Sequence, residues 1–324
     1  MKKRSQEFNS FLSPQIKSFI AYRKASDNWN DVYEWILHRF DDYCSSRYPD
    51  STALSQEMVD NWCKQRNTEI NNTCITRNHA VVGLIKYLSA RGKTDVNLPI
   101  LPQSEHQTYI PHAFTEQEIN DFFNACDNIS CNNDSPQKYA RKITLPVLFR
   151  LLYSSGIRTT EARLLRREDV DLQNGVLDIQ FSKGYDQHYV VLHESTTDLL
   201  RRYDTAIGKV YPNRKYFFPA HNGAYQSRHW LTWNFRQIWG KVSTARAVPY
   251  DFRHNYAIKN INKWINTGFD FDDKLLYLSK SMGHRDIEST KYYYSLVPGL
   301  ADILEEKTNA DFEDIVPEVC YEEI

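Results

Sequence analysis

Two arginines, a turn lysine, a Gly-His pair and a run of three tyrosines are the residues whose types can do chemistry together in this chain. Arg158 follows Gly156-Ile157, and Glu161 stands three residues on, which puts both on one helical face. Lys183 sits in the turn Ser182-Lys183-Gly184-Tyr185-Asp186, and Arg253 in Pro249-Tyr250-Asp251-Phe252-Arg253-His254. His284 follows Gly283, and Tyr293 lies nine residues later, between Tyr292 and Tyr294. Taken singly, each has a plainer account: an ion-paired arginine, a solvated lysine, a histidine capping a helix, packing tyrosines. Taken together, they suit transfer at a DNA phosphodiester. That step builds charge on two non-bridging oxygens, which planar bidentate guanidiniums stabilise well. His284 can add a third donor. A tyrosine nucleophile gives a covalent phosphodiester, which keeps the bond energy for religation without ATP. The leaving 5′-oxygen needs a proton, and a lysine on a mobile turn can supply it. Because cationic side chains do the charge stabilisation, no metal and no cofactor is expected.

Four segments, in this order, resemble the tyrosine recombinase (phage integrase) family over about residues 112–300. They are Tyr153-Ser154-Ser155-Gly156-Ile157-Arg158-Thr159-Thr160-Glu161-Ala162-Arg163-Leu164-Leu165, the turn with Lys183, Val248-Pro249-Tyr250-Asp251-Phe252-Arg253-His254-Asn255-Tyr256-Ala257, and Met282-Gly283-His284 through Tyr293. The resemblance implies Arg158 and Arg253 as the two catalytic arginines, Glu161 as support, Lys183 as the hairpin lysine, His284 as a site residue and Tyr293 as nucleophile. Neighbours on a helix differ by about 100° in direction, so only one of three successive tyrosines can face a site. Spacing from His284 and Thr290 selects Tyr293. His254, beside Arg253, reads as a buried supporting histidine. Tyr250 departs from the pattern, since the family usually has His there. A phenol ionises near pH 10 and cannot act as a neutral-pH base, but it can donate a hydrogen bond to a phosphate oxygen.

The elements that must position these residues are mostly helical. Residues 1–100 read as a helical core-binding domain, with apolar groups at helical spacing over 32–40 and 80–88. Ser55 reads as a helix cap, as does Thr73 or Thr76, and Gly92 suits a helix stop. Pro99, Pro102 and Pro111 mark a linker, taken as residues 101–112. Thr115-Glu116-Gln117-Glu118 reads as a capping box opening a catalytic domain over 113–300. There, two alternating stretches, 175–181 and 187–192, form a small hairpin, Ser227 caps one helix and Pro249 opens another. The expected fold is mainly α with a small β-sheet, an α+β catalytic domain behind a helical one.

Net charge is −1, which first argues against a nucleic-acid partner. Residues 301–324 hold nine acidic residues and one Lys, leaving 39 basic and 32 acidic residues elsewhere. A modestly basic body with an acidic tail is compatible with DNA. The family implies double-stranded DNA with inverted-repeat sites, gripped by both domains, and a homotetramer on two sites. Arg77, Lys86 and Arg91 are candidate phosphate contacts, and Leu300, Ile303 and Leu304 in the tail suit docking on a neighbouring protomer. Six scattered cysteines read as free thiols without zinc spacing or disulfides. With neither signal peptide nor membrane span visible, a cytoplasmic protein of a bacterium, phage or mobile element is expected. The alternatives are a type IB topoisomerase, which shares the chemistry but relaxes supercoils, and a catalytically degenerate DNA-binding regulator.

Overall fold

Helices form where apolar residues recur three and four apart, and several begin or end on a local device that can be named. The computed structural model describes residues 7–26, 29, 31–105, 109–130, 135–180, 187–264, 271–284 and 290; at 31, 264 and 271–273 this covers the backbone alone. The chain divides into two units, Met1–Tyr109 and Ile110–Ile324.

The first unit holds α1 (Ser13–Ala25), α2 (Asp31–Arg47), α3 (Gln56–Cys63) and α4 (Asn71–Ser89). Ile16, Phe19, Leu37, Phe40, Val81 and Leu84 meet in its core. The buried Asp41 carboxylate accepts from the backbone N–H of Asn9 (2.6 Å) and of Ser10 (3.1 Å), tying the segment before α1 to α2. Ser55 Oγ caps α3 by accepting from Met58 N–H at 3.3 Å. At α4 the expected threonine cap is overturned. The helix starts at Asn71 behind an Ile70 that makes no side-chain cap, and Thr76 donates to the Asn72 carbonyl from inside the helix. The start is set from a distance instead: the Asn71 amide donates to the Gln103 carbonyl, and Asn72 exchanges two hydrogen bonds with the Glu105 backbone. The other end behaves as the sequence suggests. Gly92 takes φ +61°, its N–H returns to Ser89 and that of Lys93 to Leu88, a Schellman stop.

The second unit opens with α5 (Glu116–Asp127), where Thr115 and Glu118 exchange both bonds of the capping box. It continues with α6 (Pro136–Ser155), α7 (Thr159–Leu164), β1 (Val170–Asp171), β2 (Val176–Ile179) and β3 (His188–Val191). Then follow α8 (Glu194–Val210), α9 (Arg228–Trp239), α10 (Asp251–Trp264) and α11 (Phe271–Ser281). The strands form one antiparallel sheet in the order β1-β2-β3, with Ile179 opposite His188. Its first strand has two residues, too few to show alternation in sequence. Ser227 caps α9 by accepting from Trp230 N–H. The central α6 packs on α5, α7, α8 and α10 around Phe122, Phe149, Phe235 and Phe252. The architecture is thus mainly helical with one small sheet.

Cys44, Cys63, Cys74 and Cys126 are buried, and burial pushes the thiols of Cys44, Cys63 and Cys126 up to about 12. Cys44, Cys63 and Cys126 are therefore protonated core residues rather than nucleophiles. Among the described residues, no helix is long and apolar enough to cross a membrane.

Candidate active site

Two helix ends and one helix face converge in the second unit. α6 stops at Gly156, which takes φ +66°. A Cβ there would collide with the ring of Tyr256 from α10, so glycine is required for backbone and for space. Two residues later Arg158 precedes α7. Its N–H donates to Glu161 Oε2 at 2.7 Å, and its Nη1 donates to Glu161 Oε1 at 2.6 Å. Glu161 has no side-chain exposure, so this carboxylate orients Arg158 from below while the guanidinium keeps 18% exposure.

α11 ends on Met282-Gly283-His284. Gly283, at φ +62°, sends its N–H to the Lys280 carbonyl, and His284 N–H returns to Ser279, a second Schellman stop. Carbonyls at a helix C-terminus lack intrahelical donors and carry partial negative charge. Both arginines answer them. Arg158 Nη2 donates to the Gly283 carbonyl at 2.7 Å, and Arg253 Nη2 donates to the Met282 carbonyl at 2.6 Å. Arg253 Nη1 also donates to the Gly156 carbonyl at 2.7 Å, closing the two helix ends together.

The His284 ring meets Arg253 Nη2 through Nε2 at 2.9 Å and Thr290 Oγ1 through Nδ1 at 2.6 Å. His284 is therefore a helix-ending residue and a member of the arginine cluster at once. Arg253 is only 1% exposed, against the partly open Arg158. A groove of about 640 Å³ runs beside this cluster, lined by Gln187, His188, Tyr256, Tyr277, Lys280 and His284.

Tyr250 stands exposed just before α10, its ring edge-on to His254 with centroids 5.1 Å apart. His254 is buried, which lowers its pKa. Lys183 and Tyr293 lie outside the described residues. In the first unit Arg77 is engaged: its guanidinium donates to both Glu69 oxygens and to the carbonyls of Trp62 and Lys64. Lys86 is exposed on α4, and Arg91 lies over the rings of Tyr87 and Tyr22.

Sequence reasoning passed over His188 and Tyr256. His188 reads as an ordinary strand residue, yet its imidazole fills the space where a Gly283 side chain would be, 2.5 Å from that Cβ position. Each of these rings covers a left-handed glycine, a pairing that no local spacing reveals. Among the described residues, no group of three or more His, Cys, Asp or Glu is placed to hold a metal ion.

The glycines offer a measurable contrast. Gly156→Ala is expected to cost more stability than Gly92→Ala, which has the same backbone strain of about 1–2 kcal/mol but open space around it. Urea unfolding of the two variants measures the difference. Equal losses would mean that the Tyr256 ring moves aside freely.

Residues 112–298 match the phage integrase family. A putative integrase/recombinase of Sinorhizobium fredii, y4rE, is 30% identical over 199 residues, 60% of this chain and 62% of that protein. Tyrosine recombinase XerD of Rickettsia bellii is 23% identical over 88% of this chain and 94% of its own length. The fold is similar to the Tn1549 transposon integrase solved with transposon right end DNA, with a TM-score of 0.59, 13% identity, and coverage of 91% of this chain and 99% of that one. The matched segment holds Arg158, Arg253 and His284 and makes up more than half of the sequence. The chain belongs to the phage integrase family, that of the tyrosine recombinases.

Proposed function

We propose that this protein is a site-specific DNA recombinase that cuts and rejoins DNA through a 3′-phosphotyrosine intermediate, serving integration or excision of a mobile element or phage. The observation that carries this reading is the meeting of Arg158, Arg253 and His284 at the end of α11, three groups drawn from segments 95 and 31 residues apart. Cationic forks gathered at one point suit an oxyanion that develops charge on two oxygens.

In this reading Tyr293 attacks the phosphorus and releases a 5′-hydroxyl, and Lys183 supplies that leaving oxygen with its proton. Arg158, Arg253 and His284 hold the non-bridging oxygens. Tyr250 donates a hydrogen bond rather than taking a proton. Lys86 and Arg91 contact phosphates from the first unit, while Arg77 steadies the turn around Glu69. The DNA carries inverted repeats and is bound by four protomers across two sites. The relatives' names and the DNA in the Tn1549 integrase structure support this choice of partner.

The test is a library of nicked duplexes with randomised core sequence, incubated with the full chain and run under denaturing conditions. A covalent protein–DNA band with enriched inverted repeats is expected. Adducts without any sequence preference, together with relaxation of arbitrary plasmids, would mean a topoisomerase. No adduct on any duplex would leave a DNA-binding regulator.

The acidic tail after Gly299 links protomers in this scheme. Its net charge of −8 opposes contact with the DNA backbone, whereas Leu300, Ile303 and Leu304 have the spacing to enter a groove. Truncation after Leu300 is expected to weaken two-site complexes in a gel-shift titration and to leave single-site binding unchanged. Tighter DNA binding by the truncated chain, strongest at low salt, would show that the tail masks the DNA channel instead.

A further inference from the structure

On the reading above, His284 has to offer a hydrogen to a phosphate oxygen, yet the ring as it stands accepts one. A guanidinium has donors only, so Arg253 Nη2, 2.9 Å from His284 Nε2, donates and Nε2 accepts. The hydrogen of the neutral ring is then on Nδ1, pointing at Thr290 Oγ1 at 2.6 Å. Thr290 is fully buried.

Two routes convert His284 into a donor at Nε2. In one, the neutral ring releases the Nδ1 hydrogen to solvent and takes one at Nε2, after which Nδ1 accepts and needs a donor opposite. In the other, Nε2 takes up a solvent proton, the ring becomes a cation, and Nδ1 still donates and needs an acceptor. A hydroxyl serves both cases by rotating its hydrogen. A carboxylate at position 290 would accept only and would hold the hydrogen on Nδ1. An aliphatic side chain would remove the hydroxyl that Nδ1 bonds, which is costly.

We propose that Thr290 is a positioning residue whose hydroxyl holds the His284 ring in place while Nε2 changes from accepting the Arg253 hydrogen to donating to the scissile phosphate. A ring with a hydrogen on Nε2 no longer accepts from Arg253 Nη2, so that hydrogen can turn to the phosphate while Nη2 keeps its bond to the Met282 carbonyl. The proposal rests on the recombinase reading for its second half only; the resting tautomer is a property of the protein alone.

The experiment has one arm without DNA and one with it. In protein labelled with ¹⁵N-histidine, the His284 resonances are assigned as those lost in His284→Gln. A ring with its hydrogen on Nδ1 is expected in the full chain and in Thr290→Ser, and a mixture of tautomers in Thr290→Val. On a cleavable duplex at saturating concentration, Thr290→Val should slow single-turnover adduct formation about tenfold with DNA affinity unchanged. Thr290→Ser should restore the rate. A resting ring with its hydrogen on Nε2 in the full chain overturns the proposal, even if Thr290→Val fails to fold. So does a Thr290→Val protein that keeps both the wild-type tautomer and the wild-type rate. If the unaltered chain forms no adduct at all, the recombinase reading has failed, and the labelled spectra still decide what Thr290 does to the ring.

Discussion

Tyr293→Phe is expected to bind DNA as tightly as the unaltered protein and to form no covalent adduct on a nicked duplex. The loss should be complete, because phenylalanine lacks the oxygen that makes the phosphodiester bond. Tyr292 and Tyr294 are not expected to substitute, since on the spacing from His284 and Thr290 only Tyr293 matches the nucleophile position. Tyr292→Phe and Tyr294→Phe should therefore keep the adduct, and a peptide carrying the phosphodiester should map to Tyr293. An adduct that survives in Tyr293→Phe and disappears in Tyr292→Phe would move the nucleophile by one residue.

The second large effect is expected at the arginines. Arg158→Lys should slow single-turnover cleavage by roughly 10²–10³-fold, about 3–4 kcal/mol, the usual cost of removing one donor pair from a preorganised anion site. An ammonium keeps the charge but is a single point. It cannot hold Glu161 Oε1 and the Gly283 carbonyl along one rigid fork, as the Arg158 guanidinium does. Near-normal cleavage by Arg158→Lys would show that charge alone suffices. Arg253 should give a mixed result. It is 1% exposed and donates to the Gly156 and Met282 carbonyls, so Arg253→Lys also leaves buried acceptors short of donors. Each such loss costs about 1–3 kcal/mol of folding stability. Urea unfolding alongside cleavage separates the two effects, with Arg158→Lys expected to fall mainly in rate and Arg253→Lys in both. These backbone partners hold the two guanidiniums in place. The carbonyls that end α11 and α6 act on the guanidiniums much as phosphate oxygens would.

The sequence by itself determined what depends on neighbours along the chain. The capping box at Thr115, the Ser227 cap, the Gly92 stop and the pairing of Arg158 with Glu161 all lie within one helical turn, where residue spacing dictates distance. The hairpin showed itself because alternation has a period of two, and the order of the motif segments pointed to the family. Tertiary structure alone decided what joins residues far apart. Arg253 reaches a carbonyl 97 residues away, Arg158 one 125 residues away, and His188 lies on Gly283 through a packing contact with no local signature. The same holds where the sequence pointed elsewhere: α4 begins at Asn71 because Gln103 and Glu105 return to it, not because a threonine caps it. Arg77, Lys86 and Arg91 look alike as basic residues on one helix stretch, yet only the fold engages the first with Glu69 and lays the last over aromatic rings. Local spacing specifies one turn of backbone, whereas a side chain's partners across the fold depend on how whole helices pack.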